Sequence, residues 1–184
     1  ILARQDGILA GIGVARRVFE KVDPDISFRE VRADGVAFGK GDVLARLGGR
    51  SVSLLKGERT ALNFLQRMSG IATATRAYVD AVRGTKARIL DTRKTTPGLR
   101  VLEKYAVRMG GGENHRFSLS DGVLIKDNHL SLAGGVAGAL KSARARMGPA
   151  VKMEVEVTDF AGAREALENG ADRIMLDNMP PALI

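Results

Sequence analysis

Val151-Lys-Met-Glu-Val-Glu-Val157, then Phe160 to Asn169 closed by Gly170, then Arg173-Ile-Met-Leu176 read as strand, helix and strand. The first run places carboxylates on alternate residues, the period of an extended chain. Upstream, Gly122-Val-Leu-Ile-Lys126 reads as a strand and Ala133 to Met147 as a helix. Before those, Arg88-Ile-Leu90 reads as a short strand, followed by a helix from Leu99 to Met109 entered after Thr96-Pro97. Strand and helix in alternation predict parallel β/α units, in a barrel or an open doubly wound sheet.

In both architectures functional groups collect at the carboxyl ends of the strands. Asp91-Thr-Arg-Lys94, Lys126-Asp-Asn-His129, Glu156 and Asp177-Asn178 occupy that position. Four successive strands are therefore expected to deliver polar groups to one rim.

The first third has a different texture. Ile8-Leu9, Ile26 to Val31, Val43 to Leu47 and Ser51-Val-Ser-Leu-Leu55 read as short strands between Gly and Asp turns, with a helix near Val14 to Lys21. From Glu58 to Val82 the period changes. Leu62, Leu65, Met68, Ala72, Thr75, Val79 and Val82 recur at three-or-four spacing, predicting one long helix, or two interrupted near Ser69-Gly70. The chain opens on Ile1-Leu-Ala-Arg4 and closes just after a strand-like run, so a fragment lacking pieces at both ends is expected.

The 184 residues suffice for a real core, and 45% apolar with 27% charged residues is ordinary for a globular protein. No apolar run approaches the roughly 20 residues of a membrane span, and a signal-peptide layout is absent. Zero cysteine excludes disulfides and thiolate metal sites and fits a cytoplasmic protein. The net charge of +8 raises nucleic acid as a partner, but six Phe, two Tyr and no Trp make a poor stacking platform, and the arginines are scattered. An anionic small molecule is the better match.

Arg93 and Lys94 follow a strand and precede Thr95-Thr96-Pro97. Arg offers a planar fork for a carboxylate and Lys a compact charge for phosphate; the bland alternative is a loop of surface ion pairs. Gly110-Gly111-Gly112 before Asn114-His115-Arg116 either ends a helix or permits close backbone approach to a ligand. Lys126 at the end of an apolar strand favours ligand binding, whereas His129 reads equally as a ligand-binding residue and as a packing or capping one. Glu154 and Glu156 share one face of their strand, and Glu156 with Asp177 could hold Mg²⁺, directly or through water. Arg59, read at the start of the long helix, sits where a cation is electrostatically disfavoured, which invites a functional role beside the plain one of surface charge.

With these residues in place, the chain resembles the quinolinate phosphoribosyltransferase family. The matching blocks are Glu58 to Asn63 with Met68 to Thr73, Asp91 to Gly98, Gly110 to Arg116, Leu124 to His129, and Glu154-Val-Glu156 with Leu176 to Met179. The resemblance implies an α/β sandwich domain over residues 1–70, its N-terminal part missing, then an incomplete parallel β/α barrel over 71–184 lacking its last strands. It implies phosphoribosyl transfer from phosphoribosyl pyrophosphate to quinolinate with decarboxylation, giving nicotinate mononucleotide, pyrophosphate and CO₂ in NAD biosynthesis. By that analogy Arg59, Arg93, His115 and Arg116 bind the two carboxylates, and Lys94 and Lys126 lie between the substrates. Glu156 and Asp177 hold the ribose hydroxyls and Mg²⁺. The family is dimeric, with Arg59 reaching the partner's site, and hexamers are the larger alternative. The missing phosphate-gripping segments imply that this polypeptide by itself is poorly folded or inactive. Competing readings are a sister phosphoribosyltransferase with another substrate and a non-catalytic anion- or nucleic-acid-binding protein.

Overall fold

A computed structural model describes all 184 residues, which divide into two compact units, Ile1–His115 and Arg116–Ile184. The residue-70 boundary expected from sequence lies inside a continuous helix of the first unit.

Strands β1 (Gly7–Ile8) and β3 (Ala37–Phe38) pair antiparallel, as do β2 (Ser27–Glu30) and β4 (Ala45–Gly48). Helix α1 (Ile12–Val22) buries Ile12, Ala15 and Phe19, residues on one face. Its first turn holds no acidic residue, but Asp34 comes from a loop to accept the Gly11 and Ile12 amides, each at 3.0 Å. That carboxylate satisfies donors that a helix start leaves orphaned and complements its dipole. Tyr105 donates to the same carboxylate at 2.8 Å.

Helix α2 (Ser51–Ala81) is the spine of this unit. The Ser51–Leu55 strand expected from alternation is instead its first turn and a half. Leu54 packs with Phe19 and Ala61, so the helical stripe begins upstream of where the sequence reading placed it. Arg50 at the N-cap supplies no side-chain cap, which removes the usual signal of a helix start. Of the two readings, one long helix or two, the first holds: α2 runs unbroken through Ser69-Gly70. Ser69 is buried, its hydroxyl accepting from the Ala10 amide at 3.1 Å and donating to the Ala10 carbonyl at 3.2 Å.

Close helix approach explains the glycines. A Cβ at Gly57 would stand 2.7 Å from the Phe19 ring. One at Gly110 would stand 2.5 Å from the Ala72 carbonyl, and one at Gly112 2.8 Å from Thr75. Gly111 adopts φ +94°, a conformation that favours glycine. The triplet therefore seats helix α3 (Arg100–Met109) and the segment after it against α2, and the close backbone approach expected for a ligand is spent on packing. Arg88–Leu90 forms no strand. It makes a single parallel bridge, Leu90 to Glu113.

In the second unit β5 (Val123–Ile125), β6 (Met153–Val157) and β7 (Arg173–Leu176) form a parallel sheet in that order. Val155 pairs with both Ile125 and Ile174 at the centre. Helix α5 (Val136–Met147) covers the sheet with Val136, Ala139 and Leu140, and α6 (Phe160–Glu168) adds Ala166, around the fully buried Met153 and Val155. This is the β/α alternation read from the sequence, with one addition: α4 (Asp127–Ala133) precedes α5 where a single helix was expected. No helix of the chain is long and apolar enough to cross a membrane.

Candidate active site

The residues singled out from sequence fall into two groups. In the first unit, Arg93 and Lys94 lie on the loop between Leu90 and α3. Lys94 is exposed, and its side chain has no hydrogen-bond or ion-pair partner within the chain. Arg93 is half-buried, and its Nε is shut away from solvent without an acceptor. Buried donors left unpaired are uncommon and costly.

Three side chains on one face of α3 hold this loop. Arg100 donates to Thr95 Oγ1 at 3.1 Å and to the Arg93 carbonyl at 3.2 Å. Glu103 accepts from the Thr96 amide at 3.2 Å and pairs with Arg67. Burial pushes the Glu103 carboxyl up, but the hydrogen bonds from Arg67 and Thr96 outweigh it and hold the group below its ordinary value. Lys104 is 2% exposed and places Nζ 2.5 Å from Asp91.

His115 reaches the same cluster through its backbone, its amide donating to Asp91 Oδ1 at 2.8 Å. Asn114 donates to the other Asp91 oxygen at 2.9 Å. The loop of Arg93 and the segment of His115 are thus brought together by Asp91, a residue that sequence reasoning quoted but gave no role. Lys104 was missed altogether.

Arg59 is exposed on α2 and makes no hydrogen bond or ion pair within the chain. It is the ninth residue of a helix that begins at Ser51, so the argument from an unfavourable helix start does not apply.

In the second unit, Lys126 follows β5, Glu156 lies near the end of β6 and Asp177 follows β7. The sheet thus gathers three of the four expected strand ends, the Arg88–Leu90 segment lying outside it. Lys126 Nζ stands 2.5 Å from Glu156 Oε2. Glu154, on the same strand face, is buried and has Arg173 3.5 Å away. Arg116 donates to the Gly122 carbonyl at 3.1 Å, at the entrance to β5. His129 accepts the Lys126 amide on Nδ1 at 2.9 Å, in a capping arrangement at the start of α4, which decides between its two readings in favour of a structural one.

Glu156 and Asp177 line one cavity of about 400 Å³, together with Asp127, Asp159 and Glu165. Asp159 is committed to the Gly162 amide and Glu165 to the Ala137 amide. Lys126 occupies one oxygen of Glu156. No group of three or more acidic or imidazole side chains has metal-cage spacing. Two carboxylates on adjacent strands do fit Mg²⁺, which keeps several waters and is held by one or two carboxylates with substrate phosphates.

Two family models cover the chain: the N-terminal domain of quinolinate phosphoribosyl transferase matches residues 1–69 and the C-terminal domain matches 71–184. A probable nicotinate-nucleotide pyrophosphorylase (carboxylating) of Bacillus subtilis is 49% identical over 181 residues, 98% of this chain and 63% of that protein. Quinolinate phosphoribosyltransferase (decarboxylating) 1b of Nicotiana tabacum is 46% identical over 97% of this chain and 53% of its own length. The chain therefore spans between about half and two thirds of these relatives. Among solved structures, NadC from Streptococcus pyogenes superposes with a TM-score of 0.94 at 48% identity, over 98% of this chain and 64% of that one. With matches to both family domains and a shared fold at such identity, the chain belongs to the quinolinate phosphoribosyl transferase family.

Proposed function

We propose that this chain carries much of the site for phosphoribosyl transfer from phosphoribosyl pyrophosphate to quinolinate, with loss of one carboxylate as CO₂. The observation that carries the reading is a loop with two neighbouring cations that lack acidic partners, the half-buried Arg93 and the exposed Lys94. A dicarboxylate suits the planar guanidinium of the first and a phosphoribosyl group the compact charge of the second. Family membership supports it.

The pyridine nitrogen attacks the anomeric carbon as the bond to pyrophosphate breaks, giving the transition state oxocarbenium character. Decarboxylation leaves an electron pair on the ring carbon next to the alkylated nitrogen, whose positive charge stabilises it until a proton arrives. Such chemistry asks for positioning and fixed charge more than for a strong base. Arg59, Arg93, His115 and Arg116 hold the two carboxylates, with Arg59 supplied to the site of a second subunit in a homodimer. Lys94 and Lys126 lie between the substrates. The Lys126–Glu156 pair orients Glu156 toward the ribose hydroxyls, with Asp177 beside it. Glu156 and Asp177 would hold Mg²⁺, which would supply positive charge to offset that of the pyrophosphate.

The test is an assay of the protein at its natural full length with Mg²⁺, phosphoribosyl pyrophosphate and quinolinate. Pyrophosphate, CO₂ and nicotinate mononucleotide are expected together. Turnover of nicotinate without quinolinate would point to a sister phosphoribosyltransferase, and no product with either would overturn the proposal.

A further inference from the structure

We propose that Lys104, in ion pair with Asp91, is a positioning residue that fixes the spacing between Arg93 and His115; the inference rests on the dicarboxylate reading for its functional part. Lys104 itself is 2% exposed and its Nζ donates to Asp91 and to the His115 carbonyl in the interior, so it does not meet substrate.

The geometry is a two-ended grip. The His115 amide donates to Asp91 at 2.8 Å, and the His115 carbonyl accepts from Lys104 Nζ at 3.0 Å. Both main-chain polar groups of His115 thus end on one ion pair. The Asp91 side chain, 7% exposed, also accepts from Asn114, so its two oxygens take three donors from two chain segments. Arg93 follows two residues after Asp91 on the same loop, and Arg100 holds the Arg93 carbonyl from the preceding turn of α3. A lysine buried to this degree is expensive unless paired and hydrogen-bonded, and for a merely filling role an aliphatic side chain would serve. The charge is used to draw the Arg93 loop and the His115 segment to one point on α3.

Two variants and one measurement on the unmodified protein test this, all at natural full length. In the parent, amide hydrogen exchange at His115 is expected to be at least roughly tenfold slower than at Asn114, whose amide makes no hydrogen bond. Lys104→Met leaves the Asp91 charge unpaired and is expected to lower the melting temperature sharply. Lys104→Met with Asp91→Asn removes both charges and is expected to recover most of that loss. In this folded double variant kcat/KM for quinolinate should fall at least roughly tenfold. The KM for quinolinate should rise more than that for phosphoribosyl pyrophosphate, and the His115 amide should exchange faster. A folded double variant with unchanged quinolinate kinetics, or with both KM values rising equally, would overturn the proposal. So would parental His115 exchange as fast as Asn114. A parent that releases no pyrophosphate sinks the functional reading instead, and the exchange data still decide whether Lys104 holds the two segments.

Discussion

Gly110→Ala sets two physical effects of opposite sign against each other. Gly110 has φ −73°, an ordinary right-handed conformation, so alanine meets no backbone strain there. Propensity and unfolded-state entropy by themselves favour the substitution by about 0.5–1 kcal/mol. Against this, the new Cβ would stand 2.5 Å from the Ala72 carbonyl and 2.6 Å from Thr75 Cβ. Neither neighbour is the free end of a flexible side chain, since one is a carbonyl of α2 and the other a Cβ fixed to the same helix. Helix α3 must therefore lift from α2, and overpacking of this kind costs about 1–3 kcal/mol or more. We expect a net loss of about 1–2 kcal/mol and a melting temperature lower by roughly 2–8 °C for a chain of this size. Gly70→Ala is the control: it lies within α2, is exposed, and its Cβ would meet nothing within 4 Å. That variant should gain about 0.5–1 kcal/mol. Scanning calorimetry of both against the parent reads the two signs. A Gly110→Ala protein as stable as the parent, with Gly70→Ala behaving as stated, would refute the close approach of α3 to α2.

Three further outcomes follow from particular contacts. Ser69→Ala leaves the buried Ala10 amide without its acceptor and should cost about 1–3 kcal/mol in urea unfolding; no loss would mean that water replaces the hydroxyl. Tyr105 is pushed up to about 12 by burial and by its hydrogen bond to Asp34. A raised folded value contributes stability that is present below pH 10 and lost as pH rises toward 12, so Tyr105→Phe should melt lower than the parent at neutral pH, and the gap should close across that range. A gap that does not change with pH argues against this linkage. Asp172 is held well below the usual carboxylate range by Lys152, the Met153 amide and Arg144. Its depressed folded value contributes stability that is present above its ordinary 3.8 and lost as pH falls below it, so the deficit of Asp172→Asn should shrink under acid. Melting curves between neutral and strongly acidic pH check this, and a constant deficit contradicts it.

Much of the second unit was legible because parallel strands and their covering helices carry their burial in local pattern. Met153, Val155 and Val157 alternate with Glu154 and Glu156, and all three apolar residues are buried. The start of α2 was not legible because Ser51-Val-Ser-Leu alternates briefly and no capping side chain marks the boundary. The capping role of His129, three residues from the amide it accepts, was among the readings the sequence offered, whereas the packing of Gly110 to Gly112 was beyond reach for another reason. That packing depends on where α2 passes, and the residue types by themselves admit a ligand equally well.

The cations of the candidate site show the same limit most clearly. Arg93, Lys94, Lys104 and Lys126 are alike in sequence, each a basic residue beside an apolar run, yet they play three different physical parts. Lys104 is neutralised in the interior by Asp91 and fixes backbone. Lys126 is neutralised at a cavity edge by Glu156, so it and its partner act as one dipolar unit. Arg93 and Lys94 have no acidic partner at all, and therefore contribute their full charge to whatever approaches the loop. On the Arg93 loop two cations lack acidic partners, while the paired Lys104 fixes the backbone beside them. Sequence shows that charge is concentrated here. Which charge attracts and which one holds is decided by partners such as Asp91, thirteen residues away from Lys104 along the chain.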